Sequence, residues 1–427
     1  MNEMLNNLSA TSIVEKIASG ETTAEAVTRA CFDRIAARED AVKAWAHLAP
    51  EHACVQARQR DQTRGSGPLR GVPVGIKDII DTADLPCEFG SPIYAGHRPA
   101  TDAACVALLR AAGAVIPGKT VTTEFATVHP GKTRHPEAAD RTPGGSSSGS
   151  AAAVADRMVP VALGTQTMGS VIRPAAYCGV VGYKPSFGLI NRAGIKPQAE
   201  SIDTVGVIAR SVDDAALVAA VLMGAAPAAL AGTARRPPRI ALYRGPDWSK
   251  AQRSAEDALD RAAQRFAAAG ATIEDAGTPA ILREALDAHF KIVCYELARA
   301  YAFEWETRRE LLSEELRGLL KLGHGVAWED YVAAQNIGDA ARQWIADSFT
   351  RRDLWLTVSA PGEAPVGMAT GDPVLNRLWS LLHLPVVTLP AGRGPAGMPL
   401  GVQLIGACRQ DADFIRMTRW AEAVLAR

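Results

Sequence analysis

Gly113-Ala114-Val115-Ile116-Pro117-Gly118-Lys119-Thr120 fits the phosphate-loop spacing G-x-x-x-x-G-K-T. Such a loop cradles phosphate with free backbone N–H groups, and Pro117 has none. Ala-Val-Ile is strand material, and Val121-Thr122-Thr123 favours a strand where a helix should follow. The stretch reads as a turn feeding a strand, so nucleotide binding is set aside. Gly145-Ser146-Ser147-Ser148-Gly149 fits the nucleophile elbow G-x-S-x-G, with Ser147 at its centre. An elbow needs a strand before it, and Glu137 to Pro143 is a polar loop. Lys77 is a candidate of another kind. It closes a run of apolar residues and glycines from Gly71 to Ile76. Burial there disfavours an ammonium and can leave a neutral amine as a base. A serine hydroxyl needs such a base before it attacks. Alone, a lysine at a strand end is more often a snorkelling or paired side chain.

The segments around these residues form a set. They are Gly71 to Asp78 (GVPVGIKD), Gly144 to Ala153 (GGSSSGSAAA), Leu163 to Ser170 (LGTQTMGS) and Arg173 to Pro185 (RPAAYCGVVGYKP). With Gly397 to Gly406 (GMPLGVQLIG), they resemble the amidase signature family. The resemblance runs from about residue 10 to about 425 and is weakest from about 240 to 350. Ser146 and Ser170 stand 24 residues apart, as the family's two serines do. The resemblance implies a relay in which neutral Lys77 takes a proton from Ser146, and Ser146 takes one from the nucleophile Ser170. In the family the counterpart of Ser146 lies on a cis peptide, and Gly144 and Gly145 supply backbone freedom before it. Ser147 and Ser148 are then supporting hydroxyls.

Thr167-Met168-Gly169-Ser170 should present backbone N–H groups as an oxyanion hole, where losing one donor costs about 3 kcal/mol. Met168 departs from the family's usual glycine or other small or β-branched residue. Its N–H survives, while its side chain should narrow the acyl pocket or strain the local backbone. Gln166 replaces a frequent aspartate and should hydrogen-bond behind the turn. Asp78 should cap locally or hold Lys77 in place.

Ser170-Val171-Ile172-Arg173-Pro174 resembles the malonamidase branch, in which the arginine binds the substrate's free carboxylate. A guanidinium fits a carboxylate bidentately; the alternative is an Arg173 paired internally with an aspartate or carbonyls. Asp78 to Asp81, Gly90 to Tyr94 and Lys184 to Phe187 also resemble this branch. The implied activity is hydrolysis of a small carboxylate-bearing amide, malonamate-like, to acid and ammonia through an acyl-enzyme on Ser170. A carboxylated urea or biuret derivative is the nearest alternative, and the transferase subunit of a tRNA-dependent amidotransferase is a rival on the same fold. A non-hydrolytic binding protein is disfavoured by the complete Lys-Ser-Ser set. No cofactor and no metal is expected, and a homodimer is the assembly to test.

The elements that must hold these residues follow from periodicity. Ser9 to about Arg60 has helical spacing, Gly65 to Pro68 is a loop, and Gly71 to Ile76 is a short buried strand. Thr101 to Gly113 is a helix and Ala114 to Ile116 a strand. Ser211 opens a helix to about Met223 with a capping-box-like pattern, and Gly224 to Pro238 is a linker. Strands at Arg239 to Tyr243 and Ala271 to Glu274 flank a helix from Ser254 to Ala269. A long helical region follows Thr278-Pro279. Strands return at Val386 to Leu389 and Gly401 to Ile405, and a final helix begins near Ala412. The expected fold is α/β, a single mixed sheet flanked by helices on both faces and shared by both ends of the chain. One domain, 1–427, comprises N-terminal helices (1–65), a signature core (66–225), a variable helical section (239–350) and completing C-terminal strands and helix (351–427).

Composition agrees with this class. At about 150 residues per domain, 427 residues suffice for roughly three domains or one large α/β unit. Lys+Arg 46 against Asp+Glu 46 leaves no net charge, so the footprint of a nucleic-acid or anionic-membrane binder is absent. Hydrophobic content of 48% excludes wholesale disorder. No run of 18 apolar residues and no basic-then-apolar leader occurs, which reads as a cytoplasmic protein. Seven cysteines lie far apart without C-x-x-C pairs, and read as small buried hydrophobes. The eight histidines make no ligand spacing.

Overall fold

The structure, a computed structural model, describes residues 4–63 and 67–427. Gly65 and Ser66 of the expected first loop lie outside the described residues. Among those described, eleven strands form one mixed sheet. They are β1 (Trp45–Leu48), β2 (Val74–Lys77), β3 (Gly118–Thr120), β4 (Val161–Gln166), β5 (Val181–Lys184) and β6 (Thr204–Ala209). The later strands are β7 (Arg239–Leu242), β8 (Thr272–Asp275), β9 (Leu354–Val358), β10 (Val386–Arg393) and β11 (Pro399–Ile405). The order across the sheet is β1-β3-β2-β4-β6-β5-β10-β11-β9-β7-β8. β2 runs parallel to β3 and β4, and β7 parallel to β8 and β9. C-terminal β10 pairs with β5, Val387 opposite Tyr183, so both ends of the chain share the sheet as expected.

Every residue of β2, β6, β9 and β11 is buried. Burial on both faces needs covering layers on both, and gives continuous apolar runs in place of alternation. The helices Ser148–Ala155, Val212–Leu222 and Arg253–Ala268 supply cover, packing on β4, β6 and β11 respectively. Local signals start the helices: Ser211 Oγ accepts from the Asp214 N–H at 3.2 Å, the expected cap. Ser9 and Thr23 cap Ala10–Ser19 and Ala24–Val42 in the same way.

Four expectations need correction. The helical spacing from Ser9 to Arg60 is interrupted, because Trp45–Leu48 forms β1 antiparallel to β3. Ala114 to Ile116 is no strand: Val115 only bridges Pro73, and β3 begins at Gly118. The glycine and lysine of the apparent phosphate loop therefore stand inside the sheet. Val121 to Thr123 leaves the sheet, since Gly149 N–H takes the Val121 carbonyl at 3.0 Å and Ser148 Oγ approaches it at 3.3 Å. The cysteines are free thiols, six of them buried, but Cys408 is exposed in the turn after β11. Among the described residues no helix is long and apolar enough to cross a membrane.

Asp78 does not hold Lys77. It lies 3.1 Å from the wholly buried Lys119 Nζ and accepts the Glu88 N–H at 3.2 Å. Removing one partner of a buried pair leaves the other charge uncompensated, at about 3–5 kcal/mol. Asp78→Ala should therefore lose about that much in urea unfolding. Asp78→Ala/Lys119→Met should recover a large part; a double variant as unstable as the sum of both singles would refute the pairing.

Candidate active site

β2 and β4 are parallel neighbours, Ile76 beside Leu163, so their carboxyl ends open on one edge of the sheet. Lys77 is the last residue of β2, and Thr165 to Ser170 runs off the end of β4. The serine loop before Ser148–Ala155 closes over both. Lys77 Nζ lies 2.7 Å from Ser146 Oγ, 2.9 Å from Thr165 Oγ1 and 3.5 Å from the Thr165 carbonyl. Lys77 has no exposed surface. Burial pushes its amine well below the usual lysine range, against a weaker pull from Asp203. A neutral amine has two N–H groups and one lone pair. Thr165 can take both N–H groups, which leaves the lone pair for the Ser146 hydroxyl.

The Gly145–Ser146 peptide is cis. Gly144 has φ +82°, a conformation that other residues rarely adopt. A Cβ on Gly145 would stand 2.6 Å from Thr370 Cγ2. The Ser147 N–H donates to the Ser170 carbonyl at 3.2 Å and ties the two serine loops together. Ser147 Oγ is fully buried against β4, accepting the Thr165 N–H at 3.3 Å. No strand precedes it, so the elbow geometry is absent. Ser146 and Ser170 are 1% and 8% exposed.

Gln166 Oε1 accepts the Val171 and Ile172 N–H groups at 3.0 and 3.1 Å, capping the helix Ile172–Tyr177 behind the turn. Thr167, Met168, Gly169 and Ser170 form the turn between β4 and that helix. Met168 is half-buried against a cluster containing Ile172 and Trp379, and its φ is not positive. The expected backbone strain is therefore not found at Met168. Thr167 Oγ1 donates within reach of both Gln198 Oε1, at 2.6 Å, and Asp203 Oδ1, at 2.5 Å. Burial pushes the Asp203 carboxyl up to about 6. A cavity of about 400 Å³ beside Thr165 and Thr167 is lined by Asn191, Arg192, Lys196 and Asp203. A larger one, about 700 Å³ between Arg236, Arg416 and Phe414, shares none of these residues.

Arg173 is 4% exposed. Its Nε donates to the Thr370 carbonyl and its Nη2 to the Gly145 carbonyl, both at 2.8 Å. Nη1 is buried without a partner. Burial lowers its basicity, with Asp372 acting in the opposite sense.

The structure thus brings Lys77 and Ser146 into contact, joins the Ser146 and Ser170 loops, and ties Arg173 to the first. It also reveals a partner in Thr165, which lies inside the LGTQTMGS segment with nothing in its type or spacing to mark it. His289, Thr370, Asn376 and Ser380 approach the same loops from more than 100 residues away in sequence. They carry no local signal.

The family described as Amidase matches residues 26–415. The glutamyl-tRNA(Gln) amidotransferase subunit from Chloroflexus aggregans is 34% identical, covering 94% of this chain and 93% of that protein. The peptide amidase from Stenotrophomonas maltophilia superposes with a TM-score of 0.85 at 29% identity, over 98% of this chain and 97% of that one. A chain from "An unexpected vestigial protein complex reveals the evolutionary origins of an s-triazine catabolic enzyme" gives 0.88 at 28% identity, over 98% of both. With its strand-end lysine, its paired serine loops and a match over most of its length, the chain belongs to the amidase family of amide-bond hydrolases.

Proposed function

We propose that this protein is a small-amide hydrolase in which Ser170 attacks the amide carbonyl, Ser146 relays the proton and neutral Lys77 is the base. The 2.7 Å contact from the buried Lys77 Nζ, which makes no ion pair among the described residues, to Ser146 Oγ carries this reading. The turn Thr167 to Ser170 offers its N–H groups to the oxyanion. Collapse of the tetrahedral intermediate expels the amine, protonated through Ser146. Water, activated by the same relay, then attacks the acyl-enzyme and releases the acid. The whole chain acts as one catalytic unit, as a cytoplasmic homodimer without cofactor.

The substrate is an amide with a free carboxylate, malonamate-like. Support comes from Arg173: its Nη1 is buried and unpartnered while its other contacts are neutral carbonyls. A buried guanidinium left in that state favours an anionic ligand. A carboxylated urea or biuret derivative offers the same pair of groups, and the s-triazine connection of one structural neighbour keeps it in the comparison. The second reading, an amidotransferase subunit, rests on the names of the 34%-identical relatives. Co-purification of further subunits with the chain would favour it, and ammonia release from malonamate by the chain alone would refute it.

Ser170→Ala should reduce kcat by several orders of magnitude and abolish labelling by a fluorophosphonate. Ser147→Ala should stay labelled; the reverse pattern restores the elbow.

The Lys77 mechanism has two pH signatures. kcat/KM should rise with pH through an ionisation below the ordinary lysine range, and Lys77→Ala should remove that limb with most of the activity. Stability should follow as well. The folded amine loses its proton at lower pH than the unfolded one, so between those values unfolding takes up a proton and stability falls as pH falls. Lys77→Met lacks this term. Its melting temperature should gain on the parent's as pH falls below the unfolded lysine value of about 10.4. A constant difference would mean a charged lysine.

Arg173→Ala should cost about 2–5 kcal/mol of transition-state binding for a carboxylated amide, and far less for a neutral amide of similar size. Arg173→Lys should recover little, since an ammonium cannot reproduce the fork. Equal losses for both amides with a lowered melting temperature would confine Arg173 to holding Gly145 and Thr370.

A further inference from the structure

A peptide's C=O and N–H point in opposite directions within one rigid plane. Whatever fixes the carbonyl therefore aims the amide. The turn from Thr167 to Ser170 contains three such planes. The carbonyl of Gly169 accepts the Arg173 N–H at 2.9 Å, which fixes the Ser170 amide as the helix starts. The carbonyl of Met168 faces Ser380 Oγ at 3.4 Å, and Gln166 Nε2 donates to that same hydroxyl at 3.1 Å. With its lone pair engaged, the Ser380 proton is directed onward to Met168. The carbonyl of Thr167 faces His289 Nε2 at 3.5 Å.

His289 belongs to the helix Ala280–Ala300, in the section least like the signature motifs. It has no exposed surface. A carbonyl can only accept, so Nε2 carries the proton, and Nδ1 is buried without a partner. Burial, reinforced by Arg377, holds the imidazole's pKa down to about 3, so this donor form persists throughout the working range. Asn376 presses its side chain against Gly169, which closes the turn from the other side. The serine loop supplies no hydrogen bond to the Thr167 or Met168 carbonyl, which leaves these two planes to residues from distant helices.

We propose that His289 and Ser380 are positioning residues that aim the Met168 and Gly169 N–H groups at the developing oxyanion. The inference rests on Ser170 being the nucleophile. Neither residue touches the reacting atoms; each acts through a peptide plane. The long helix of the variable section thus reaches the chemistry, and changes along it can retune the turn without altering a signature residue.

A fluorophosphonate reads this arrangement. Ser170 Oγ forms a bond to phosphorus, the P–F bond breaks, fluoride leaves, and the serine proton passes through Ser146 to Lys77 while the phosphoryl oxygen occupies the turn. His289→Leu should slow labelling by about 10-fold or more, a partial form of the loss seen when an oxyanion donor is removed. His289→Gln, whose Nε2 can donate, should recover to within about threefold of the parent, with melting temperatures confirming folding. Labelling of His289→Leu at the parent rate, or equal slowing in the Leu and Gln variants, would overturn the proposal. If His289→Leu does not fold, Ser380→Ala decides by the same measurement: slowing of about threefold or more supports the proposal, and an unchanged rate overturns it. Continued labelling of Ser170→Ala is a separate result, which removes the nucleophile assignment beneath it.

Discussion

A lysine amine with no exposed surface and no ion pair among the described residues, pulled less by Asp203 than it is pushed by burial, is the constraint on which the candidate-site half of this fold depends. Burying a charged ammonium without an ion-pair partner costs several kcal/mol, so burial pushes the amine well below the ordinary lysine range. That outcome requires Lys77 to end a strand whose neighbours exclude water. β2 satisfies it by lying between β3 and β4, with its residues buried on both faces. The nearby Lys119 shows the other solution: it is equally buried, pairs with Asp78, and keeps an ordinary structural role. Adjacent lysines on adjacent strands thus differ in surroundings: Lys119 has an ion-pair partner in Asp78, and Lys77 meets the Ser146 and Thr165 hydroxyls.

The sheet does more than bury Lys77. Parallel pairing puts the ends of β2 and β4 on the same edge, so Thr165 meets Lys77 and the turn after Gln166 lies within reach of the serine loop. The loop itself is held through main-chain contacts: Ser147 N–H to the Ser170 carbonyl, and Arg173 to the Gly145 carbonyl. Arg173 therefore pairs internally with two carbonyls, one of the two expectations for it, and keeps an unpartnered nitrogen.

Residues that act through neighbours in sequence were legible. Lys77 announced itself by the apolar run before it and Ser211 by its cap, while the family resemblance pointed to the turn Thr167 to Ser170. The family resemblance located Ser146 and Ser170 by spacing. Burial on both faces erases the alternation by which a strand is read; β2 and β11, fully buried, still stood out as apolar runs, while β4, β5, β6 and β9 were not picked out. β1 was absorbed into a helical pattern, since four residues are too few to establish a period. Val121 to Thr123 has strand-forming residues yet leaves the sheet, because the Ser148–Ala155 helix competes for its carbonyl.

Taken alone, the sequence determined the α/β class, the strand-end lysine, the two serine loops and their order, because each depends on residue type and on spacing of a few tens of residues. Tertiary structure decided that Asp78 would lie against Lys119 and not against Lys77, whose amine burial pushes well below the ordinary lysine range. It decided that Arg173 would hold Gly145 and Thr370, and that His289 and Ser380 would stand behind the turn Thr167 to Ser170. Those contacts span 28 to 212 positions. Nothing in a local pattern encodes them, because hydrogen-bond partners and dielectric environment exist only once distant segments have packed together.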